Sequence, residues 1–367
     1  MTSRRIEFIA AYNLLVHLIR QSPNLDKFLP KICQNLSAPI TSSLNNGPGL
    51  ALSVLTTIFN VLPPDNDTRY HVFLAIVRVV RRSSSFETLK SQLKNLDAWL
   101  VQWDMDEEDQ RKLYLGIADV AEDAGEDEQS YLYLLRALRT IPTEEVNGDE
   151  ARTLSIRALK AGFSHPSHFD FQDLTALDSI QALSKSEPVF FQLLEIFNAE
   201  GLDDYNDFKD EHEGWVEEQG LDDSVLARKM RLLTLASLAA STQSRSLPYQ
   251  HIAKALQVRS EDVEMWVIDV IRAGLVEGKL SQQNQTFLIH RSTYRVFGEK
   301  QWREVQSRLD TWRASLEGVL AVVRLEREQV IRQKERELRS LDYKVNGSGG
   351  GSGGARGGPR ELDMMAD

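Results

Sequence analysis

The sequence predicts a mainly α-helical protein: a solenoid of degenerate helical repeats, then a winged-helix module, then a long C-terminal helix that joins a bundle. Three observations support this fold class. Apolar residues recur at helical spacing between prolines and glycines that stand about ten to twenty residues apart. Strand-like segments occur only near residues 275–290. A heptad pattern of apolar residues begins at Trp302.

Residues 1–225 are predicted to form the helical-repeat solenoid. A first helix opens near Ile6 and ends at residues 22–23, where serine and proline follow each other. Further helices are expected over residues 50–62, 70–80, 86–100, 110–122, 128–140 and 150–161. Short helices with brief connections are typical of an α-solenoid. No fixed repeat of tetratricopeptide length is present, so the repeats are interpreted as degenerate.

Residues 226–298 are predicted to form the winged-helix module, which begins with three helices. They are expected over residues 226–238, 247–256 and 260–273. Ser260 is the expected N-cap of the third helix, because its hydroxyl can accept a hydrogen bond from a free amide of the first turn. Gly274 is the expected stop of that helix.

Two strands are expected to complete the module. They cover residues 275–280 and 286–290, and the polar residues 281–285 between them suit a hairpin loop. Helix, helix, strand, strand is the order of a winged helix.

Residues 299–345 are predicted to form a single long helix with an apolar seam. The seam consists of Trp302, Val305, Leu309, Trp312, Leu316, Val319 and Val323. Gaps of three and four alternate along it, which is the a/d pattern of a coiled coil. Such a narrow stripe suits other helices, so we interpret the helix as part of a bundle supplied partly by other chains; packing back on its own domain is the alternative. Trp302 and Trp312 are the expected hot spots.

Composition limits what the chain can be. It has 367 residues, of which 42% are hydrophobic, and this length exceeds what one compact core accommodates. The single cysteine, Cys33, excludes a disulfide framework and fits a reducing compartment. No signal peptide and no long uninterrupted apolar segment occur, so a cytoplasmic location without membrane contact is expected. The Gly-rich residues 346–367 are predicted to form a disordered tail.

The net charge of −11 is concentrated in two windows. Residues 104–128 hold eleven acidic residues against two basic ones, and residues 201–223 hold ten against one. Acidic surfaces of this kind repel phosphate backbones and attract basic partners. Solvated faces of surface helices are the alternative interpretation of each window.

The sequence predicts no catalytic, cofactor-binding or metal-binding residues and no small-molecule substrate. It has no Gly-rich phosphate loop ahead of a helix and no nucleophile elbow. His165 and His168 flank a proline, which prevents the regular helical face that a metal pair needs.

Nucleic-acid reading by the winged helix is not expected either. Residues 260–273 would form the recognition helix, yet they carry four acids against Arg272. These carboxylates would be repelled by phosphates. Any RNA contact is therefore expected to be peripheral, through basic helix ends or the Arg-Gly-Gly unit that starts at Arg356.

The predicted order of elements is similar to that of the PCI-domain family, whose members are scaffold subunits of the proteasome lid, the signalosome and translation initiation factor 3. Several motifs resemble one branch of it, the subunit M family of eukaryotic translation initiation factor 3, over about residues 228–316. These motifs are 230–234 (Met-Arg-Leu-Leu-Thr), 261–264 (Glu-Asp-Val-Glu), 267–269 (Val-Ile-Asp), 292–298 (Ser-Thr-Tyr-Arg-Val-Phe-Gly), 301–302 (Gln-Trp) and 309–312 (Leu-Asp-Thr-Trp).

The resemblance implies a non-catalytic subunit of the assembly that binds the small ribosomal subunit and promotes recruitment of initiator tRNA and mRNA. Its partners would be other PCI-containing subunits, which in this family pair through their wings and gather their C-terminal helices in a bundle. The wing residues expected at such an interface are Leu275, Val276, Leu280, Phe287, Leu288 and Ile289. Either strand could supply the open edge. A scaffold of the signalosome or proteasome lid, and a PCI-type nucleic-acid adaptor, are the alternatives.

Overall fold

The computed structural model describes residues 2–21, 25–38, 47–242, 244–295 and 298–346, which form eighteen α-helices and three β-strands. The helices are α1 (Thr2–Arg20), α2 (Leu25–Ser37), α3 (Gly47–Val61), α4 (Thr68–Ser83), α5 (Phe86–Leu93), α6 (Leu96–Gln102), α7 (Glu107–Asp123), α8 (Asp127–Arg139), α9 (Asp149–Ser164), α10 (Gln172–Thr175), α11 (Asp178–Ser186), α12 (Pro188–Ala199), α13 (Leu202–Glu211), α14 (Trp215–Glu218), α15 (Asp223–Ser241), α16 (Tyr249–Leu256), α17 (Val263–Arg272) and α18 (Glu299–Asn346). The strands are β1 (Ser246–Pro248), β2 (Val276–Ser281) and β3 (Thr286–Ser292). The mainly α-helical fold class predicted from the sequence is confirmed. The chain divides into two compact units, Met1–Val296 and Phe297–Asp367.

In the first unit, successive helices pack side by side around one hydrophobic core. Helix α3 packs on α4, α7 on α8, and α9 on both α8 and α11. This core extends from Val16 in α1 to Leu233 in α15. It includes an aromatic group in which the ring of Trp99 lies 5.1 Å from Phe59, 5.6 Å from Phe73 and 5.8 Å from Trp103.

Ion pairs between neighbouring helices use some of the acids in the window 104–128. Arg81 of α4 contacts Asp119 at 2.8 Å and Asp123 at 2.7 Å, both on α7. Arg157 of α9 contacts Asp119 and Glu122 at 2.6 Å each. These acids therefore connect three helices of the solenoid, in addition to facing solvent.

The sequence-based helix over residues 86–100 was wrong in one respect, because two helices cover this segment. Helix α5 ends at Leu93 and α6 begins at Leu96, with Lys94 and Asn95 between them. The amide of Asn95 donates to the carbonyl oxygen of Gln92 at 3.0 Å, which closes a tighter turn. Asparagine favours caps and turns over helix interiors, and this preference accounts for the break.

The winged-helix module has a second core, built from α15, α16, α17 and all three strands. The strands form one antiparallel sheet in the order β1-β3-β2. Strand β1 was not predicted, and it corrects the helix expected over residues 247–256. Leu247 and Pro248 pair with β3, so α16 begins only at Tyr249.

Helix α17 begins later than the sequence predicts, and the predicted glycine terminates it. Ser260 is not the N-cap: the amide of Asp262 donates to the carbonyl oxygen of Arg259 at 3.0 Å, and this extra turn delays the helix to Val263. At the other end, Gly274 has a φ of 72°, and its amide and that of the next residue donate to the last carbonyls of the helix. This is a Schellman ending, and the predicted stop is confirmed.

The second unit contains α18, a single helix of 48 residues. The predicted long helix is confirmed as one uninterrupted element. The disordered Gly-rich tail was predicted over residues 346–367; Asn346 is instead the last residue of α18, and residues 347–367 lie outside the described residues.

Candidate subunit-interface surfaces

The predicted seam of α18 lies on an exposed helix surface. Trp312 is 65% exposed and Leu316 is 50% exposed, although both are large apolar side chains. Trp302, Leu309, Val319 and Val323 are exposed as well, whereas Val305 is half-buried. A contiguous row of exposed tryptophan, leucine and valine side chains is unusual on a protein surface in contact with water, and such patches mark interaction sites.

The apolar stripe continues beyond the predicted seam. Leu320, Val330, Ile331, Leu338 and Leu341 are also exposed. Leu338 and Leu341 follow Trp302 and Val305 by thirty-six residues, about ten turns of an α-helix, so they return to the same face. The sequence analysis missed these residues because it required gaps of three and four residues. In a straight helix, positions seven residues apart rotate by about 20° around the axis, so over several heptads the exposed face passes to other heptad positions.

Other parts of the α18 surface differ from this stripe. Val322 and Leu325 are exposed but lie off the stripe by helical geometry. Ion pairs four residues apart join Arg303 to Glu299 at 2.6 Å and Arg313 to Glu317 at 3.0 Å. Such pairs stabilise an isolated helix by a few tenths of a kcal/mol each, roughly 0.2–0.5.

The predicted wing residues fall into two groups. Val276, Phe287 and Ile289 are buried in the core of the module, and Leu275 and Leu280 are half-buried against it. Leu288 alone among the six is exposed, because it points to the other face of β3. The side chains of the buried three hold the wing together, so at an interface their contribution would come from backbone groups.

The sheet order shows which of the two predicted strands lies at an edge: β2 does, and the unpredicted β1 forms the opposite edge. Strand β3 has a neighbour on each side, whereas β2 is paired with β3 alone among the described residues. The register of β2 shifts between Glu277 and Gly278, which marks a β-bulge. Gly278 lies so close to β3 that an added Cβ would be 2.4 Å from the carbonyl oxygen of Leu288.

The acids of α17 are partly held within the module. The carboxylate of Glu264 accepts hydrogen bonds from the hydroxyl of Tyr249 at 3.3 Å and from the side-chain amide of Gln282 at 2.8 Å. Asp269 forms an ion pair with Arg228 of α15 at 2.9 Å. These contacts give the carboxylates structural roles, and the exposed face of α17 retains no basic cluster suited to phosphates.

Two cations to which sequence reasoning gave no role, the buried Lys229 and the half-buried Arg295, lie where the module meets the solenoid. Lys229 of α15 is 1% exposed, and burial lowers its pKa to about 7. Arg295 donates to the hydroxyl of Ser237 at 2.8 Å and to the carbonyl oxygens of Phe197 and Glu200 at the end of α12. Burial lowers the pKa of Arg295 to about 10. Lys229 stands in an amphipathic helix pattern, where a lysine normally reaches solvent, and Arg295 was noted only as part of the motif 292–298, so the sequence did not reveal the contacts of either side chain.

His168, which the sequence analysis considered as a metal ligand, packs among aromatic rings. Its ring lies 4.3 Å from that of Tyr131 and 5.0 Å from that of Phe171, and burial lowers its pKa to about 4. Within the described ranges, no three His, Cys, Asp or Glu side chains are grouped so that they could hold a metal ion. None of the helices in these ranges has the length and apolar character needed to cross a membrane.

Two family models match the chain, and both fall on the surfaces described above. The model of the PCI domain matches residues 207–291, which run from α13 to β3. The model described as the C-terminal helix of initiation factor 3 subunit M matches residues 295–323, which include the predicted seam.

Curated relatives match almost the whole chain. A eukaryotic translation initiation factor 3 subunit M from Phaeosphaeria nodorum is 68% identical over 98% of this chain and 82% of its own length. Proteins of the same name from Chaetomium globosum and Coccidioides immitis are 54% and 50% identical, over 90% and 98% of this chain and 78% and 80% of their own lengths. The resemblance found in the motifs is confirmed. The chain belongs to the eukaryotic translation initiation factor 3 subunit M family.

Proposed function

We propose that this chain is a non-catalytic scaffold subunit of translation initiation factor 3, and that it supports recruitment of mRNA and initiator tRNA to the small ribosomal subunit. Membership of the subunit M family supports a place among the subunits of that complex. The scaffold role adds two contacts, one through α18 and one through the wing. Contact with the ribosome would come through the complex, any RNA contact would be peripheral, and the location would be the cytoplasm.

The exposed apolar stripe of α18 carries the proposal. Burial of apolar surface releases roughly 25 cal/mol per Å², so a helix that leaves two tryptophans exposed gains stability when other helices cover them. The gain from an aromatic hot spot is about 2 kcal/mol or more. Trp302, Val305, Leu309, Trp312, Leu316, Val319 and Val323 would be the bundle contacts, and Leu338 and Leu341 would extend them.

The open edge of β2 supports the second contact. A strand with one neighbour presents free backbone N–H and C=O groups, and these can pair with a strand of another PCI subunit. The bulge at Gly278 twists the edge, which restricts pairing to partners of matching shape. We place the wing contact on β2, with the exposed Leu288 on the neighbouring strand as a side-chain contribution.

We propose a matching division of the chain. Residues 1–225 are the solenoid, 226–298 the winged-helix part of the PCI domain and 299–345 the bundle helix; the tail predicted over residues 346–367 lies, after Asn346, outside the described residues. Two separate hydrophobic cores that share α15 support the boundary between the first two parts.

Affinity purification of the intact protein from its own cytosol, followed by mass spectrometry, tests this function. We expect the other subunits of initiation factor 3, with ribosomal proteins of the small subunit at lower yield. Recovery of proteasome-lid or signalosome subunits would agree with a PCI scaffold architecture but would contradict the proposed role in translation initiation. A free-standing RNA adaptor would be recovered with RNA alone and would lose it steeply as salt is added.

A further inference from the structure

A groove between α6 and α7 belongs to neither the wing nor the long helix. It encloses about 420 Å³ and is lined by Asp97, Leu100, Val101, Asp104, Met105, Gln110 and Tyr114. We propose that this groove binds a helical segment of a partner protein, in which one apolar side chain is flanked by two basic ones. The proposal goes beyond the bundle and wing contacts and does not depend on them.

The middle of the groove offers an apolar contact. Val101 is 82% exposed, although it stands on the rim of a cavity whose walls include the buried Leu100 and Tyr114. A single exposed valine is ordinary. A valine on the rim of this groove differs, because a partner side chain that enters the groove would cover Val101 together with the apolar part of the walls, Leu100 and Met105.

An aspartate stands at each end of the groove. Asp97 and Val101 stand one turn apart on α6, and Asp104 follows just after the end of that helix. The carboxylate of Asp97 forms an ion pair with the guanidinium of Arg136 on α8 at 2.7 Å, whereas Asp104 makes no ion pair with any described residue. Asp106 and Glu107 follow directly and add negative charge on that side. Acid, apolar, acid along one groove is complementary to a partner with basic, apolar, basic side chains.

The groove is held in shape by its own hydrogen bonds. The side-chain amide of Gln110 donates to the carbonyl oxygen of Met105 at 2.8 Å, and the carboxylate of Asp106 accepts from the amide of Asp109 at 2.8 Å. These bonds fix the connection between α6 and α7, so a partner would find the surface already formed. Preformed surfaces bind with a smaller entropic loss than flexible ones.

The test measures binding of a defined peptide to the intact full-length protein by fluorescence anisotropy. The probe is a fluorescein-labelled, alanine-rich helical peptide of about fifteen residues, with a leucine four residues after one lysine and three before the next. One control peptide has glutamates in place of the lysines, and another has serine in place of the leucine. We expect saturable binding of the probe that weakens with salt, and binding about tenfold weaker for either control peptide.

Substitutions in the groove locate the binding. Asp104→Asn removes the charge but keeps a residue that tolerates the left-handed φ of 48° at this position. We expect Asp104→Asn to lower the affinity for the probe about threefold, and Val101→Ser to lower it about fivefold. The matched control is Glu128→Gln, an exposed acid of α8 outside the groove lining, which should leave binding unchanged.

Two results would overturn the proposal. One is the absence of saturable binding of the probe up to the millimolar range. The other is equal binding to the parent protein and to the Asp104→Asn and Val101→Ser variants. Both substituted side chains are exposed, so circular dichroism should show the same fold in every variant. Because the assay contains no other subunit, its outcome is independent of whether the chain assembles into initiation factor 3.

Discussion

The ammonium group of Lys229 donates a hydrogen bond to the carbonyl oxygen of Gly162 at 2.7 Å. It donates a second to Phe163 at 3.0 Å, and it lies 5.4 Å from the centre of the Phe171 ring. Both acceptors are among the last carbonyls of α9, which have no partner within their own helix. A cation at this end also interacts favourably with the helix dipole. Lys229 thus joins α15, the helix shared by the two cores, to the end of a solenoid helix.

The buried amine makes the stability of the protein depend on pH in the alkaline range. Burial lowers the pKa of Lys229 to about 7, against 10.5 in an unfolded chain. Above about pH 7 the unfolded state therefore binds more protons than the folded state, and the free energy of unfolding rises with pH. The slope contributed by this one group is at most about 1.4 kcal/mol per pH unit. Urea unfolding between about pH 7 and 9 measures it.

Lys229→Met is the matched variant for that measurement, because methionine has similar length and no charge. It should be less stable near neutral pH, since two buried carbonyls lose their donor, and its stability should rise less with pH than that of the parent. His168, whose pKa is about 4, stays neutral over this range in both proteins. Identical slopes for the two proteins would show that Lys229 remains charged in the folded state.

Arg295 should stabilise the end of the winged-helix module. Replacing it with alanine removes the donor to Phe197 and Glu200, whose carbonyl oxygens close α12. We expect Arg295→Ala to lower the free energy of unfolding by about 2–4 kcal/mol and to speed amide exchange at the end of α12. Hydrogen exchange with mass spectrometry measures the local effect.

Arg291 is the control for that prediction. It stands four residues earlier, and its ion pair with Glu277 at 3.4 Å is largely exposed, with side chains 76% and 63% exposed. Exposed pairs contribute about 0–1 kcal/mol, so Arg291→Ala should change stability little. If the two alanine variants behaved alike, the partly buried hydrogen bonds of Arg295 would not stabilise the fold more than an exposed ion pair does.

Gly278 should be required for the wing to form. An added Cβ would meet the carbonyl oxygen of Leu288 at 2.4 Å and the ring of Phe287 at 2.5 Å, and neither can move without disturbing the sheet. We expect Gly278→Ala to destabilise the protein by about 1–3 kcal/mol in thermal or urea unfolding. Gly318 of α18 has no atom within 4 Å of an added Cβ, so Gly318→Ala should cost no stability. A stable Gly278→Ala variant would mean that β2 can shift away from β3.

Local pattern was enough to predict much of this fold. The helices near residues 110–122, 128–140 and 150–161, the stop at Gly274 and the length of α18 follow from periodicity and capping. These features depend on residues close together in the chain. The heptad pattern of α18 is likewise a local feature, because a single helix displays its pattern without tertiary contacts; its role as a bundle contact stays a prediction.

Features that depend on distant partners were not predicted. Strand β1 has three residues and contains Pro248, and only its pairing with β3 makes it a strand. Which of the two predicted strands lies at an edge could not be decided until β1 was seen to occupy one side of β3. The contacts of Lys229 were missed because a lysine in an amphipathic helix normally reaches solvent, and those of Arg295 because it lies outside any helix or strand pattern. Nothing nearby in the chain reveals the distant carbonyls that these cations bind.

We propose that the apolar stripe of α18 holds this chain in its complex. The test is the recovery of initiation factor 3 subunits with an affinity-tagged chain, compared between two double variants. Trp312→Ala with Leu316→Ala truncates two side chains of the stripe, whereas Val322→Ala with Leu325→Ala truncates two similarly exposed side chains beside it. We expect the first pair to reduce recovery at least about tenfold with the fold intact, and the second to leave it near the parent level. Equal recovery with both variants would contradict the assignment of the stripe as the bundle contact.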